Sequence, residues 1–99
     1  MLFAFSVAPT TAETPDGSVS AAVAEAVRIV RESGLPNETT AMFTTIEGEW
    51  DECMDVIRRA TEAVAATSPR VSLVIKADIR PGFTGQLTEK VRRVEEHLR

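Results

Sequence analysis

Tyrosine is absent from this 99-residue chain, tryptophan, histidine and cysteine occur once each, and four phenylalanines complete the aromatic set. Each scarcity removes a class of function. Few flat side chains leave no stacking platform for single-stranded nucleic acid. One histidine, His97, excludes a His-rich metal site, and it stands among charges near the chain end with no role assigned to it. A single thiol, Cys53, cannot form a disulfide within the chain, and inside a helical pattern it reads as a small buried hydrophobe. Net positive charge is also missing. The formal charge is -4 and the pI about 5.0, with basic residues dispersed, so neither a nucleic-acid footprint nor a polybasic membrane patch is expected. No apolar run approaches the ~20 residues that a membrane span needs.

What is present is 43% apolar content, enough for one domain over residues 1–99 with a modest core. So small a core leads one to expect assembly with further copies. Met1 to Ala8 has the apolar character of a secretion leader but no basic start, and its removal would discard the best strand, so the expected location is cytoplasmic. Phe3, Phe5 and Val7 alternate with Leu2, Ala4 and Ser6, which predicts a strand over 2–8 stopped by Pro9. Thr10 to Gly17 reads as a loop. Ser18 is placed to cap a helix running to about Glu32, with Val19, Val23, Ala26, Val27 and Val30 on one stripe and Ser33-Gly34 ending it.

Beyond Pro36, Asn37 to Phe43 alternates weakly and is rich in threonine, and a further strand from Thr44 or Thr45 to Glu49 follows almost at once. The turn between them is not placed by the residues. A second helix over about 50–67 presents Cys53, Met54, Ile57, Ala60 and Val64 inward, with Asp51, Asp55, Arg58, Arg59 and Glu62 outside, before Ser68-Pro69 breaks it. Arg70 to Arg80 alternates most clearly of all: Val71, Leu73, Ile75, Ala77 and Ile79 form an expected core face, opposite Ser72, Val74, Lys76, Asp78 and Arg80. A last helix over about 86–98 is expected to bury Leu87, Val91, Val94 and Leu98.

Strand, helix, strand, strand, helix, strand and a final helix is the order of the split βαβ, ferredoxin-like α+β sandwich with an added C-terminal helix. Its antiparallel sheet carries both main helices on one face and leaves the other open. If the larger side of each strand meets the helices, then Ser6, Thr45, Glu47, Lys76, Asp78 and Arg80 share the open face. That face is the candidate site for a small molecule, and an exposed sheet face in a small domain is also a candidate contact between copies.

The ordered set Ser6-Val7-Ala8-Pro9, Ser18-Val19-Ser20, Ser33-Gly34-Leu35, Met42 with Thr44-Thr45-Ile46-Glu47-Gly48-Glu49-Trp50-Asp51-Glu52, Ile75-Lys76-Ala77-Asp78-Ile79-Arg80, and Lys90-Val91 with Val94-Glu95 resembles the small thiamine-binding protein family. The resemblance spans nearly the whole chain. It implies a ferredoxin-like fold, homodimers that assemble into homotetramers, and for some members binding of thiamine or its pyrimidine moiety without catalysis, in uptake or salvage of the vitamin. It adds Thr44 to the candidate ligand-binding set. The chain departs from the family's usual residues at Phe43, where Gly is usual, at Ala41, where Pro is common, and at Ala22 and Asn37, where Tyr is expected. Phe43 either supplies a ring to the pocket or fills it.

Glu47 is suited to an aminopyrimidine or a thiazolium, because a carboxylate accepts from an amino group and offsets a cation. The structural alternative is a cross-sheet pair with Lys76, which contributes under ~1 kcal/mol when exposed. Asp78 has the same two readings. Arg80 suits an anion or a salt bridge between subunits, and Ser6 and Thr45 can donate to a ligand or simply fit a close-packed sheet. Trp50 reads as packing at the base of the second helix. Glu49, Asp51 and Glu52 read as favouring that helix's start through its dipole, rather than as metal ligands. No nucleophile stands beside a base and no Gly-rich loop follows a strand, so the expectation is a binder and not an enzyme, with no cofactor and no metal. The runner-up is a small-molecule-sensing or assembly module of the same fold, with its ligand at a subunit interface.

Overall fold

The computed structural model describes residues 1–10 and 19–99. The expected cap at Ser18 and most of the loop after the first strand therefore lie outside the described residues. Elements follow in the order β1 (Leu2–Pro9), α1 (Ser20–Glu32), β2 (Asn37–Thr39), β3 (Thr44–Glu47), α2 (Trp50–Ala65), β4 (Val71–Asp78) and α3 (Gln86–His97). This is the ferredoxin-like α+β sandwich with a C-terminal helix added.

The strands form one antiparallel sheet in the order β2-β3-β1-β4. Register assigns the faces. Phe3 lies between Ile46 and Ala77, and Phe5 between Thr44 and Ile75; these rows look toward α1 and α2. Phe3, Phe5, Val7 and Ile46 pack there with Ala26 and Val30 of α1 and Cys53, Val56, Ile57, Ala60 and Val64 of α2 into one buried core. The alternating rows point the other way: Glu38, Thr45, Ala4 and Lys76 cross all four strands, and Leu2 is flanked by Glu47 and Asp78.

The hairpin turn that sequence left open falls at Thr40–Phe43. Backbone N–H of Thr40 donates to the Phe43 carbonyl at 2.9 Å, and the Thr40 hydroxyl donates to the same oxygen. Threonine takes over strand hydrogen bonds here, so β2 stops at three residues instead of reaching Phe43. At the start of α2, the Glu52 carboxylate accepts from the Glu49 backbone N–H at 2.8 Å, the capping arrangement that a helix beginning with orphan donors favours. Gly48 is needed just before it for space: a Cβ there would stand 2.7 Å from that carboxylate and 3.1 Å from Cys53 Sγ. Trp50 packs edge-on against Phe3 with ring centroids 5.6 Å apart, while half of its surface stays exposed.

Two expectations of burial fail in the described chain. Leu73, Ile75, Ala77 and Ile79 are exposed although their alternation is regular, because β4 is the sheet's edge strand and α2 covers it only in part, leaving a groove between Met54 and Ile57 on one side and Leu73 and Ile75 on the other. Val91, Val94 and Leu98, the last 80% exposed, do not enter a core, because α3 touches the sheet mainly through its first turns.

Candidate functional site

Two concave regions collect candidate residues. The first lies between α1, the middle of β1 and the β2–β3 turn, and encloses about 270 Å³. Its walls come from Phe5 to Ala8 on β1, Val19, Val23, Ala26 and Val27 on α1, and Thr39 to Thr44 around the hairpin. Ser6 and Thr44 are both among its lining residues, on β1 and at the start of β3. The surroundings are apolar with hydroxyl residues at intervals: Phe5 from β1, Phe43 from the turn, valines and alanines of β1 and α1, and Ser6, Thr39, Thr40 and Thr44. No charged residue lines it. Such a cleft suits a neutral aromatic heterocycle, which gains by burying its ring and needs a few hydrogen bonds to fix its orientation.

The second region, about 450 Å³, is bounded by Leu35, Pro36, Glu47, Gly48, Glu49 and Glu52 on one side and by Thr84, Gly85, Leu87 and Thr88 on the other. Its chemistry is dominated by Glu47, which is only 6% exposed. Both of its carboxylate oxygens are occupied. The backbone N–H of Gln86 donates to Oε2 at 2.8 Å, and that of Leu87 to Oε1 at 3.2 Å. Gly85, at φ 69, turns the chain so that these first amides of α3 face the strand. A buried carboxylate at a helix N-terminus satisfies donors that lack partners within the helix and faces the positive end of its dipole. Glu47 is thus the anchor of α3.

Asp78 reaches the same helix. Its Oδ2 accepts from Lys90 Nζ at 2.6 Å, and Lys90 holds its carboxyl below the usual range. Glu47 and Asp78 flank Leu2 on one face, as the alternation indicates, and α3 fills the space toward which both point. Glu47 does not pair with Lys76, since β1 runs between them: Glu47 opposes Leu2 and Lys76 opposes Ala4. Thr45 sits in the Lys76 row of the open face. Arg80 stacks its guanidinium over Phe83 at 3.5 Å. Thr45, Lys76, Asp78 and Arg80 border neither concave region, so the structure places Ser6 and Thr44 at the apolar cleft, Glu47 and Asp78 against α3, and Thr45, Lys76 and Arg80 at neither.

Sequence reading missed the hydroxyls of Thr39 and Thr40 and the α1 contribution to the cleft. A signal existed: Val19, Val23 and Val27 extend the α1 stripe past the part that the core buries, and these valines stay half-buried as lining. Cys53 lies under the sheet, where burial above all, with nearby Glu52 adding to it, pushes its thiol up to about 11. Among the described residues no three His, Cys, Asp or Glu side chains gather closely enough to hold a metal ion. No helix there is long and apolar enough to cross a membrane.

Residues 3–95 match the family model described as thiamine-binding protein. A UPF0045 protein of Mycobacterium bovis is 56% identical over 99 residues, covering 99% of this chain and 94% of that one. Among solved structures, a hypothetical protein of Methanocaldococcus jannaschii superposes with TM-score 0.83 at 27% identity, over 96% of this chain and 95% of the other. A Thermotoga maritima protein described as a candidate for thiamine biosynthesis or salvage superposes with TM-score 0.77 at 24% identity, over 94% and 96%; at that identity the likeness shows a common fold.

Proposed function

The chain belongs to the thiamine-binding protein family, and from that premise we propose that it binds thiamine or a related pyrimidine-bearing heterocycle without transforming it, in uptake or salvage of the vitamin. The observation that carries the reading is the apolar cleft between α1 and the hairpin, lined by Phe43, the buried Phe5 and the hydroxyl residues Ser6, Thr39, Thr40 and Thr44. Its volume of about 270 Å³ is near the lower bound of typical ligand pockets, which suits the pyrimidine moiety better than a larger cofactor. In this reading Phe43 lines the site rather than blocking it. Ser6 and Thr44 orient the ring, and Glu47 and Asp78 hold α3 in place. Nothing in the cleft resembles a base, a nucleophile or a metal set, which supports binding over catalysis.

A second reading, a sensing or assembly module with its ligand shared between subunits, draws on the exposed apolar residues of β4 and α3. Calorimetric titration with thiamine, its pyrimidine fragment and a panel of amino acids separates the two. Binding of thiamine or the fragment with a 1:1 stoichiometry per chain supports the first, and amino-acid binding supports the second. No heat from thiamine or its fragment at millimolar concentration overturns the vitamin reading.

A further inference from the structure

Among the described residues the buried polar side chains are Glu47, Ser68 and Thr44, and two of the three are satisfied within the chain. Glu47 accepts from the Gln86 and Leu87 amides, and the Ser68 hydroxyl donates to the Arg70 carbonyl at 2.7 Å. The Thr44 hydroxyl, on a residue only 8% exposed, has no hydrogen-bond partner among the described residues. In register Thr44 lies between Phe5 of β1 and Thr39 of β2. Opposed residues in antiparallel strands share a face, so its side chain leaves the sheet with that of Phe5, on the α1 side, where it lines the cleft. No fully enclosed side-chain oxygen or nitrogen among the described residues lacks a partner, so the Thr44 oxygen is reached from the cleft rather than sealed in the core. Thr39 shares that face, its Cβ about 4.5–5.5 Å from that of Thr44, and its hydroxyl is equally without a partner. Thr40 differs, because its hydroxyl is taken by the carbonyl and N–H of Phe43.

We propose that Thr44 and Thr39 are the specificity-determining pair of the cleft, hydrogen-bonding the amino group and the adjacent ring nitrogen of an uncharged aminopyrimidine. The inference rests on the cleft being the pyrimidine site. A hydroxyl both donates and accepts, so two of them on neighbouring strands can accept from an exocyclic amine and donate to the ring nitrogen beside it. Phe43 and the valines of α1 offer apolar contact that any six-membered aromatic ring would gain. The threonines are what separates a heterocycle from a carbocycle, since a group built to bond a ligand is left unpaired by an analogue that lacks the bond. No charged residue lines the cleft, so a protonated ring would give up its water with no counterion in exchange. The buried part of the ligand is therefore the neutral ring, and a permanent charge elsewhere on the molecule stays outside in solvent. Thr44 also carries a cost in the free protein: a hydroxyl withdrawn from most of its water with nothing to bond destabilises the fold, and valine, of the same shape and equally suited to a strand, would not.

The test pairs affinity with stability in T44V, T44S and T39V. Each is titrated calorimetrically with the pyrimidine fragment of thiamine and with its carbocyclic counterpart, in which CH groups replace the ring nitrogens and the amino group is absent; each is also unfolded in urea without ligand. The expected results are a loss of about tenfold in affinity for the fragment in T44V and of about two- to fivefold in T39V, with the carbocycle bound no more weakly than by the natural chain. T44S, which keeps the hydroxyl, should retain the preference for the fragment. The urea midpoint of T44V should equal or exceed that of the natural chain. A lower midpoint in T44V overturns the proposal, because the hydroxyl then has a structural use. So does full affinity for the fragment in T44V, or an equal loss for fragment and carbocycle, which would mark a change of shape rather than a lost bond. Failure of the natural chain to bind the fragment at all is a separate outcome: it removes the pyrimidine reading of the cleft, and this pair's role falls with it.

Discussion

Replacing Glu47 by Gln probes the contact on which the position of α3 depends. The carboxylate holds two backbone N–H groups, from Gln86 and Leu87, at the N-terminus of a helix whose own apolar stripe stays largely in solvent. An amide can accept one of those bonds but turns an NH2 toward the second donor, and it removes the charge that faces the helix dipole. Hydrogen bonds to a charged group contribute roughly 1.5–3 kcal/mol, so the docked-to-undocked ratio of α3 should fall about 10- to 100-fold in E47Q. A twelve-residue helix is marginal once detached, so undocking exposes its amides. Hydrogen–deuterium exchange with peptide resolution reads this directly: residues 86–97 should exchange 10- to 100-fold faster, with residues 50–65 of α2 changed far less. Equal protection of α3 in E47Q and the natural chain would falsify the anchoring role and return Glu47 to the pool of free ligand groups.

Further expectations follow from the same geometry. Because Lys90 depresses the Asp78 carboxyl, the attachment that Asp78 gives α3 is complete above the ordinary carboxylate range near pH ~4 and disappears as pH falls through the lower folded-state value. An NMR titration should show that depression, and K90A should return Asp78 to the ordinary range; an unmoved midpoint removes the pairing. The Cys53 thiol, with its pKa pushed up to about 11, should resist alkylation at pH 8 in the folded chain and react promptly in denaturant; equal rates would place it outside the core. Ile57→Ala deletes a side chain that is 1% exposed at the α2–sheet contact and should cost about 2–5 kcal/mol in chemical denaturation, against under ~1 kcal/mol for exposed Glu62→Ala.

How much of this was legible in the sequence depended on whether strand order and helix placement set another element of the chain over a residue. The alternation of Phe3, Phe5 and Val7 against Leu2, Ala4 and Ser6 gave β1 and its faces, since both helices that cover it belong to this chain. The α2 stripe through Cys53, Ile57, Ala60 and Val64 was readable for the same reason. Alternation in β4 was just as regular, yet Leu73 and Ile75 are exposed: period reports which residues share a face, and strand order decides whether anything covers it. The stripe on α3 misled in the same way. In the candidate site, the open-face placement of Glu47 and Asp78 was readable from strand parity. Their engagement was not, because the helix that satisfies Glu47 begins 39 residues later, after a left-handed glycine that no pattern of hydrophobicity announces. Ser6 was read for its hydroxyl, whereas the cleft it joins is assembled from α1 and a turn that sequence could not place.

The most direct test is a backbone-amide NMR titration of the protein with the pyrimidine moiety of thiamine. If the vitamin's ring seats between α1 and the β2–β3 hairpin, saturable shifts should centre on Ser6, Phe43 and Thr44 and should be abolished or weakened at least tenfold in F43A. Saturable shifts confined to Lys76, Asp78 and Arg80, with Phe43 and Thr44 silent, would place the ligand on the charged side of the sheet and contradict the account.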